Sequence, residues 1–188
     1  MEIPINSIVR GKHITVYGTF PFRIYPTECV NEIREHIWEE LKSQDTKNIK
    51  KTVYIGRGDM ERDRRRILNE SSALAAMDDM GLDYSVIRPG LEPLEKTIRT
   101  LMNANAIIGP TGGAMFHQVW AKNLRLLLEL KPEQYQSMSE SEELARIFGY
   151  EYRESPTTPD SLGFWSNSDQ VIDLFEFNQR VKFLKSQI

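Results

Sequence analysis

This chain is poor in cysteine and histidine, with one Cys and three His in 188 residues, and it has no long apolar run. Each shortage removes a class of protein. The single thiol, Cys29, cannot form an internal disulfide and gives no sign of an oxidising compartment. At the start of a helix it reads as a small apolar residue. No stretch approaches the roughly 18–20 apolar residues that span a bilayer, so no membrane span is expected. The opening MEIPINSIVRGKH lacks the basic-then-apolar pattern of a signal peptide. A natural chain starting at Met1 is therefore expected to be cytosolic or to face the cytosol. In a piece of a longer protein, an upstream anchor would lie out of view. Positive charge is not in excess: 24 Lys and Arg stand against 27 Asp and Glu, a net −3. That balance argues against a general nucleic-acid partner. No cluster of His, Cys, Asp and Glu has metal-ligand spacing, so no metal site is expected. No Gly-x-Ser-x-Gly elbow is present either.

What is present suits one domain with a real core. Apolar residues make up 40% of the chain, ordinary for a globular protein. Residues 13–19 (HITVYGT) read as a strand, and a helix is expected over about 28–43, with Thr27 as N-cap. Residues 51–56 (KTVYIG) form a second strand. Asn69 is expected to cap a helix that uses Leu74, Met77 and Met80 and stops at Gly81. A strand over 84–87 and a helix over 92–103 follow. Residues 104–130 (ANAIIGPTGGAMFHQVWAKNLRLLLEL) read as strand, glycine-rich turn, helix over about 113–121, and strand. A helix over about 141–148 leads into 151–167, whose Ser, Thr, Pro and Gly suggest an extended surface loop. An amphipathic helix over roughly 169–185, with Val171, Leu174, Phe175, Val181 and Leu184 on its apolar face, closes the chain. Strands that alternate with helices and read as apolar runs predict an α/β fold. Its sheet is mostly parallel, Rossmann-like, and covered by helices on both faces. Residues 1–50 form an N-terminal strand–helix extension and 51–188 the main domain.

Ligands of such sheets bind beyond the carboxyl ends of the strands. Two unusual loops directly follow a predicted strand there, and should share one edge. Loop 57–66 holds Arg57, Arg62, Arg64, Arg65 and Arg66 among Asp59, Glu61 and Asp63. Arginine suits phosphate because its planar fork donates two parallel hydrogen bonds and keeps its charge. One or two of these side chains can grip a diphosphate, or the loop can pair with its own acids. The turn Gly109-Pro110-Thr111-Gly112-Gly113-Ala114 is not a P-loop, since no Lys-Ser/Thr follows. Its glycine spacing is not the dinucleotide fingerprint either. It serves either as a cradle of backbone N–H groups for an anion or as a tight turn for close helix packing.

Three side chains carry further alternatives. Glu129 sits in a buried strand and needs a partner there. It can accept hydrogen bonds from ribose hydroxyls or an arginine, or close an ion pair at the strand end. His117 follows the turn, and packs in the helix or joins the chemistry. Glu70 follows Asn69 at a helix start, where capping competes with acid–base work. Glu70 and His117 are the catalytic candidates.

The series YIGR-(x)7-RRILNE, then GLDYSVIRPG, then a helix, then NANAIIGPTGGAMFHQVWAKNLRLLLELKP resembles the C-terminal, nucleotide-sugar-binding half of glycosyltransferase family 61. The resemblance covers roughly residues 51–188, and residues 1–50 match in general organisation only. It implies one domain of a GT-B glycosyltransferase, and transfer of a sugar from a nucleotide-sugar donor, UDP-linked, to a glycan or protein acceptor. No cofactor and no essential metal are expected. By resemblance, Arg57, Arg65, Arg66 and Asn69 lie near the donor. Thr111, Gly112 and Gly113 flank its phosphates, and Glu129 lies near the nucleoside. Two positions depart from the family pattern. Thr111 replaces the histidine of the turn, and His117 replaces a small polar residue. A complete member also needs an acceptor domain, and only about 50 residues precede the resemblance. That domain is expected to be separate or missing. The competing expectations are a degenerate, non-catalytic module and an unrelated nucleotide-binding protein of the same architecture. The module would dock a partner through Val171, Phe175, Phe177 and Leu184 of the last helix.

Overall fold

The computed structural model describes residues 27–41, 50–57, 66–161 and 168–188. The strand expected over 13–19 and most of the arginine loop, Arg65 included, lie outside the described residues.

Four strands form where the apolar runs predicted them: β1 (Thr52–Ile55), β2 (Tyr84–Ile87), β3 (Ala106–Pro110) and β4 (Leu126–Pro132). Every residue of β1, β3 and β4 is buried. With β5 (Glu151–Pro159) and β6 (Gln170–Ile172) they make one six-stranded sheet in the order β2-β1-β3-β4-β5-β6. All neighbours are parallel except the β5–β6 pair. The fold is thus α/β with a mostly parallel sheet.

Among the described residues, five α-helices and one 3₁₀ helix accompany it: α1 (Thr27–Leu41), α2 (Glu70–Asp79), α3 (Leu94–Met102), the 3₁₀ helix (Gly113–Trp120), α4 (Glu140–Phe148) and α5 (Leu174–Gln187). They cover both faces. On one face Tyr54, Ile108, Leu128 and Leu130 meet Ala73 and Met77 of α2 and Phe177, Val181 and Leu184 of α5. On the other, Val53, Ile55, Ile107 and Leu127 meet Leu101 of α3 and Met115 of the 3₁₀ helix. Each such fully buried aliphatic side chain contributes about 2 kcal/mol. Among the described residues no helix is long and apolar enough to cross a membrane.

Several elements differ from the sequence expectation. The expected surface loop after residue 151 begins with β5, a nine-residue strand beside β4. Its Ser, Thr and Pro content masks it, but Ser155 and Thr157 are buried by the neighbouring strands. The last helix starts later than residue 169. Residues 170–172 pair with β5 as β6, and Asp173 caps α5 by accepting from the Phe175 and Glu176 N–H groups at 2.9 and 3.1 Å. That cap signal outweighs the apolar periodicity that runs through Val171. The apolar face of α5 is also spent within the domain. Phe177 and Leu184 are fully buried in the core, leaving Phe175 as the exposed aromatic, so the expected docking face does not exist as drawn. Asn69 occupies the N-cap position of α2 but does not cap it. Its amide instead grips the backbone of Ile172, donating to the carbonyl at 2.9 Å and accepting from the N–H at 2.8 Å.

Candidate functional site

The chain runs from β1 to β2 on one side of the sheet, then crosses back so that β3 lies on the other side of β1. Loops leaving β1 and β3 therefore diverge to opposite faces and open a crevice at their carboxyl ends, the place where doubly wound sheets take ligands. A cavity of about 330 Å³ occupies that place. Gly56 and Arg57 line it from the end of β1, Pro89 and Gly90 from beyond β2, and Gly113, Ala114 and His117 from the 3₁₀ helix. This lies at the small end of the roughly 300–1,000 Å³ range of ligand pockets.

The turn after β3 is built for close approach. A Cβ on Gly109 would stand 2.7 Å from Met115 Sδ and 3.0 Å from Ile55 Cβ, so only glycine lets the 3₁₀ helix and β1 pack this tightly. Gly112 adopts φ 137°, ψ −172°, a conformation essentially reserved for glycine. Between them Thr111 is buried. Its N–H and its hydroxyl both donate to the Leu130 carbonyl, at 3.0 and 3.2 Å. Its own carbonyl accepts from Arg57 Nη2 at 2.5 Å. The arginine after β1 and the glycine turn after β3 are thus joined by one hydrogen bond across the mouth of the sheet.

The 3₁₀ geometry decides which side chains see the cavity. With three residues per turn, positions three apart lie in register. Met115, Gln118 and Ala121 form the buried stripe. Ala114 and His117 face the cavity, and Trp120 continues their row. The sequence predicted a helix here, without the tighter period that sorts these side chains. Trp120 Nε1 donates to His117 Nδ1 at 3.3 Å. Burial lowers the pKa of His117, which favours the neutral ring at physiological pH. Helix α1 braces this element from outside. Arg34 donates to the Ala121 carbonyl at 3.0 Å while its guanidinium lies over the Trp38 and Phe148 rings, and Trp38 Nε1 donates to the Trp120 carbonyl at 2.9 Å.

Other sequence candidates lie elsewhere. The Arg66 guanidinium donates to Asp169 Oδ2 at 2.9 and 2.6 Å, and its backbone N–H to Oδ1 at 2.8 Å, which ties the chain entering α2 to the start of β6. Asn69 reinforces the same junction. Glu70 sits behind Gly56 and pairs with Arg88 at 3.4 Å. Glu129 is completely buried on β4 and lines no cavity among those described. Its Oε2 accepts from the Ser139 hydroxyl at 2.5 Å and the Tyr152 hydroxyl at 2.6 Å. Ser139 in turn caps α4 by accepting from the Glu142 N–H at 3.1 Å. Burial raises the Glu129 pKa, opposed by the hydrogen bonds from Ser139 and Tyr152 and by the nearness of Thr111 and Lys131. Since the Thr111 hydroxyl proton points to the Leu130 carbonyl, Glu129 Oε1 is left without a hydrogen bond of its own. Sequence reasoning found Glu129 but not Ser139 or Tyr152. The only hint of them was a hydroxyl in N-cap position before an acidic first turn.

A larger cavity of about 700 Å³ opens at the ends of β4 and β5. Glu133, Glu142, Glu154 and Glu176 on its walls outnumber Lys131 and Arg180, which makes it a poor host for a diphosphate. Among the described residues no group of three or more His, Cys, Asp or Glu is placed to hold a metal ion.

A crossover crevice with a guanidinium and a glycine turn at its mouth marks the class: an α/β domain with an open cavity at the carboxyl edge of a mostly parallel sheet. Comparison with known families then specifies it. The family model Glycosyltransferase 61 matches residues 9–127, more than half of the chain, and the chain belongs to that family. The match reaches further upstream than the motifs quoted above and ends two residues before Glu129. No curated protein matches the chain closely enough to count as a relative. Membership carries glycosyl transfer as the general chemistry, with a sugar donor and an acceptor as substrates.

Proposed function

We propose that the cavity between the ends of β1 and β3 holds the diphosphate of a nucleotide-sugar donor, UDP-linked, and that the described domain is the donor-binding half of a GT-B glycosyltransferase. The observation that carries this reading is the Arg57–Thr111 hydrogen bond. It places a permanent positive charge and a glycine turn on one mouth, where an anionic leaving group can be met by both. In transfer, the bond from the sugar anomeric carbon to the diphosphate oxygen breaks while the oxygen of an acceptor hydroxyl forms the new one and gives up its proton to a base or to the departing diphosphate. Negative charge grows on the departing diphosphate. A preorganised guanidinium and backbone N–H groups stabilise that charge more than they stabilise the bound donor, and the difference lowers the barrier. Arg65 joins this role by resemblance. The same resemblance carries the expectation that no metal is essential. An acceptor-binding domain, whether on the same polypeptide or another, would hold the acceptor whose hydroxyl attacks and complete the cleft.

Calorimetric titration of the folded chain with UDP and a panel of nucleotide sugars tests the reading. At least one UDP species is expected to bind, and Arg57→Ala to weaken it by about tenfold or more, the worth of a charge-assisted hydrogen bond. Flat titrations across the whole panel would sink it. The competing reading of a non-catalytic module keeps Thr111 in its favour, while the helix that would have docked a partner is packed into the core.

A further inference from the structure

We infer that His117 is a neutral hydrogen-bond donor to the diphosphate, facing Arg57 across the cavity, with Trp120 as the positioning residue that sets its tautomer. This assignment rests on the donor-site reading and names a second wall for it.

Three observations converge. His117 and Arg57 line the same cavity from different elements, one from the 3₁₀ helix and one from the end of β1. The Trp120 indole N–H, which can only donate, points at His117 Nδ1. A ring whose Nδ1 accepts a hydrogen bond must carry its proton on Nε2 when neutral. Protonating Nδ1 would set two N–H groups against each other, so Trp120 opposes the charged ring for a reason separate from burial. The outcome is an imidazole held as a donor, not a base: Nδ1 is occupied and Nε2 already bears hydrogen. The 3₁₀ register produces this arrangement, since the two rings are three residues apart and therefore in register. The chemistry that suits an Nε2–H beside a guanidinium is an anionic oxygen, and the diphosphate of the donor supplies several.

Thr111 offers the cavity no competing donor, since its hydroxyl and its N–H both donate to the Leu130 carbonyl.

Two-bond ¹⁵N–¹H correlation of the ¹⁵N-histidine-labelled chain at neutral pH reads the tautomer directly. The expected pattern is a bare Nδ1 and a protonated Nε2 for His117, and movement of the Nε2 signal on adding UDP or pyrophosphate. Trp120→Phe should mix the two tautomers in the folded protein and weaken UDP several-fold. His117→Ala should weaken UDP by roughly tenfold, with His117→Asn, which keeps an N–H donor, recovering part of the loss. A charged ring, an Nδ1–H tautomer, or His117→Ala binding UDP as tightly as the parent would each overturn the assignment while leaving the donor site standing. If the parent chain binds neither UDP nor pyrophosphate, the donor reading and this assignment fall together.

Discussion

Two ends of the same sheet edge treat charge in opposite ways. At β1 and β3, Arg57 donates to the Thr111 backbone carbonyl and lines an open cavity. One strand further along, Glu129 is sealed under the sheet edge, and two hydroxyls close over one of its oxygens. Spacing in the sequence made both equally plausible ligand groups. The difference is where each strand points its last side chains. Arg57 follows β1 into the loop, while Glu129 lies inside β4, on the face that α4 covers. A charge just past a strand end lines an open cavity, and a charge three residues before a strand end holds the scaffold.

The contrast is breakable, and its largest expected effect lies on the scaffold side. Glu129→Ala leaves the Ser139 and Tyr152 hydroxyls without their acceptor and opens a cavity. It should cost about 3 kcal/mol of unfolding free energy in urea, with the slope unchanged. The isosteric Glu129→Gln isolates the charge. Because burial raises the folded pKa of Glu129 above its ordinary 4.5, the native state holds this proton more tightly than the unfolded chain. Its contribution is therefore most favourable below 4.5 and declines as pH rises through the raised folded value. The stability of the parent relative to Glu129→Gln should fall from pH 4.5 upward, and a flat difference across that range would mean the carboxylate is not desolvated in solution.

Next in size is the turn. Gly112→Ala forces a side chain into a backbone conformation reserved for glycine, at a cost of about 2 kcal/mol. Unlike Glu129→Ala, it should also weaken UDP, because the turn carries the carbonyl that holds Arg57. Equal loss of stability with intact UDP affinity would separate the turn from the site. The smallest effect is at Phe175, which is 70% exposed on α5. Phe175→Ser should change stability by less than about 0.5 kcal/mol and leave light-scattering mass unchanged. A drop in mass on this substitution would restore the last helix as an assembly surface.

Much of this was legible in the sequence for a physical reason. Buried parallel strands must be apolar throughout, so β1, β3 and β4 announced themselves. The glycine turn and Arg57 were legible because a loop directly after such a strand has only one edge to occupy. β5 was not, because a strand that carries Glu151, Arg153 and Glu154 with Ser, Thr and Pro lacks a hydrophobic signature. Its pairing with β4 comes from the sheet as a whole. The partners of Glu129 and Asn69 lie 10, 23 and 103 residues away along the chain, beyond any local pattern. The 3₁₀ period was hidden for another reason. Gly-Ala-Met-Phe-His-Gln-Val-Trp fits either helix type, and the packing of Met115 onto Gly109 is a tertiary contact.

That period makes the segment after the turn behave like a reading frame. Its eight residues extend about 16 Å at roughly 2.0 Å each, against about 12 Å for an α-helix, and every third position returns to the same side. One frame carries Ala114 and His117 to the cavity, one buries Met115 and Gln118, and one leaves Phe116 exposed. Point substitutions stay within their frame. A single residue inserted between Gly113 and Ala114 would shift all three by a third of a turn, swinging the imidazole off the cavity and Met115 off Gly109 in one step. Length here is therefore under stricter constraint than identity.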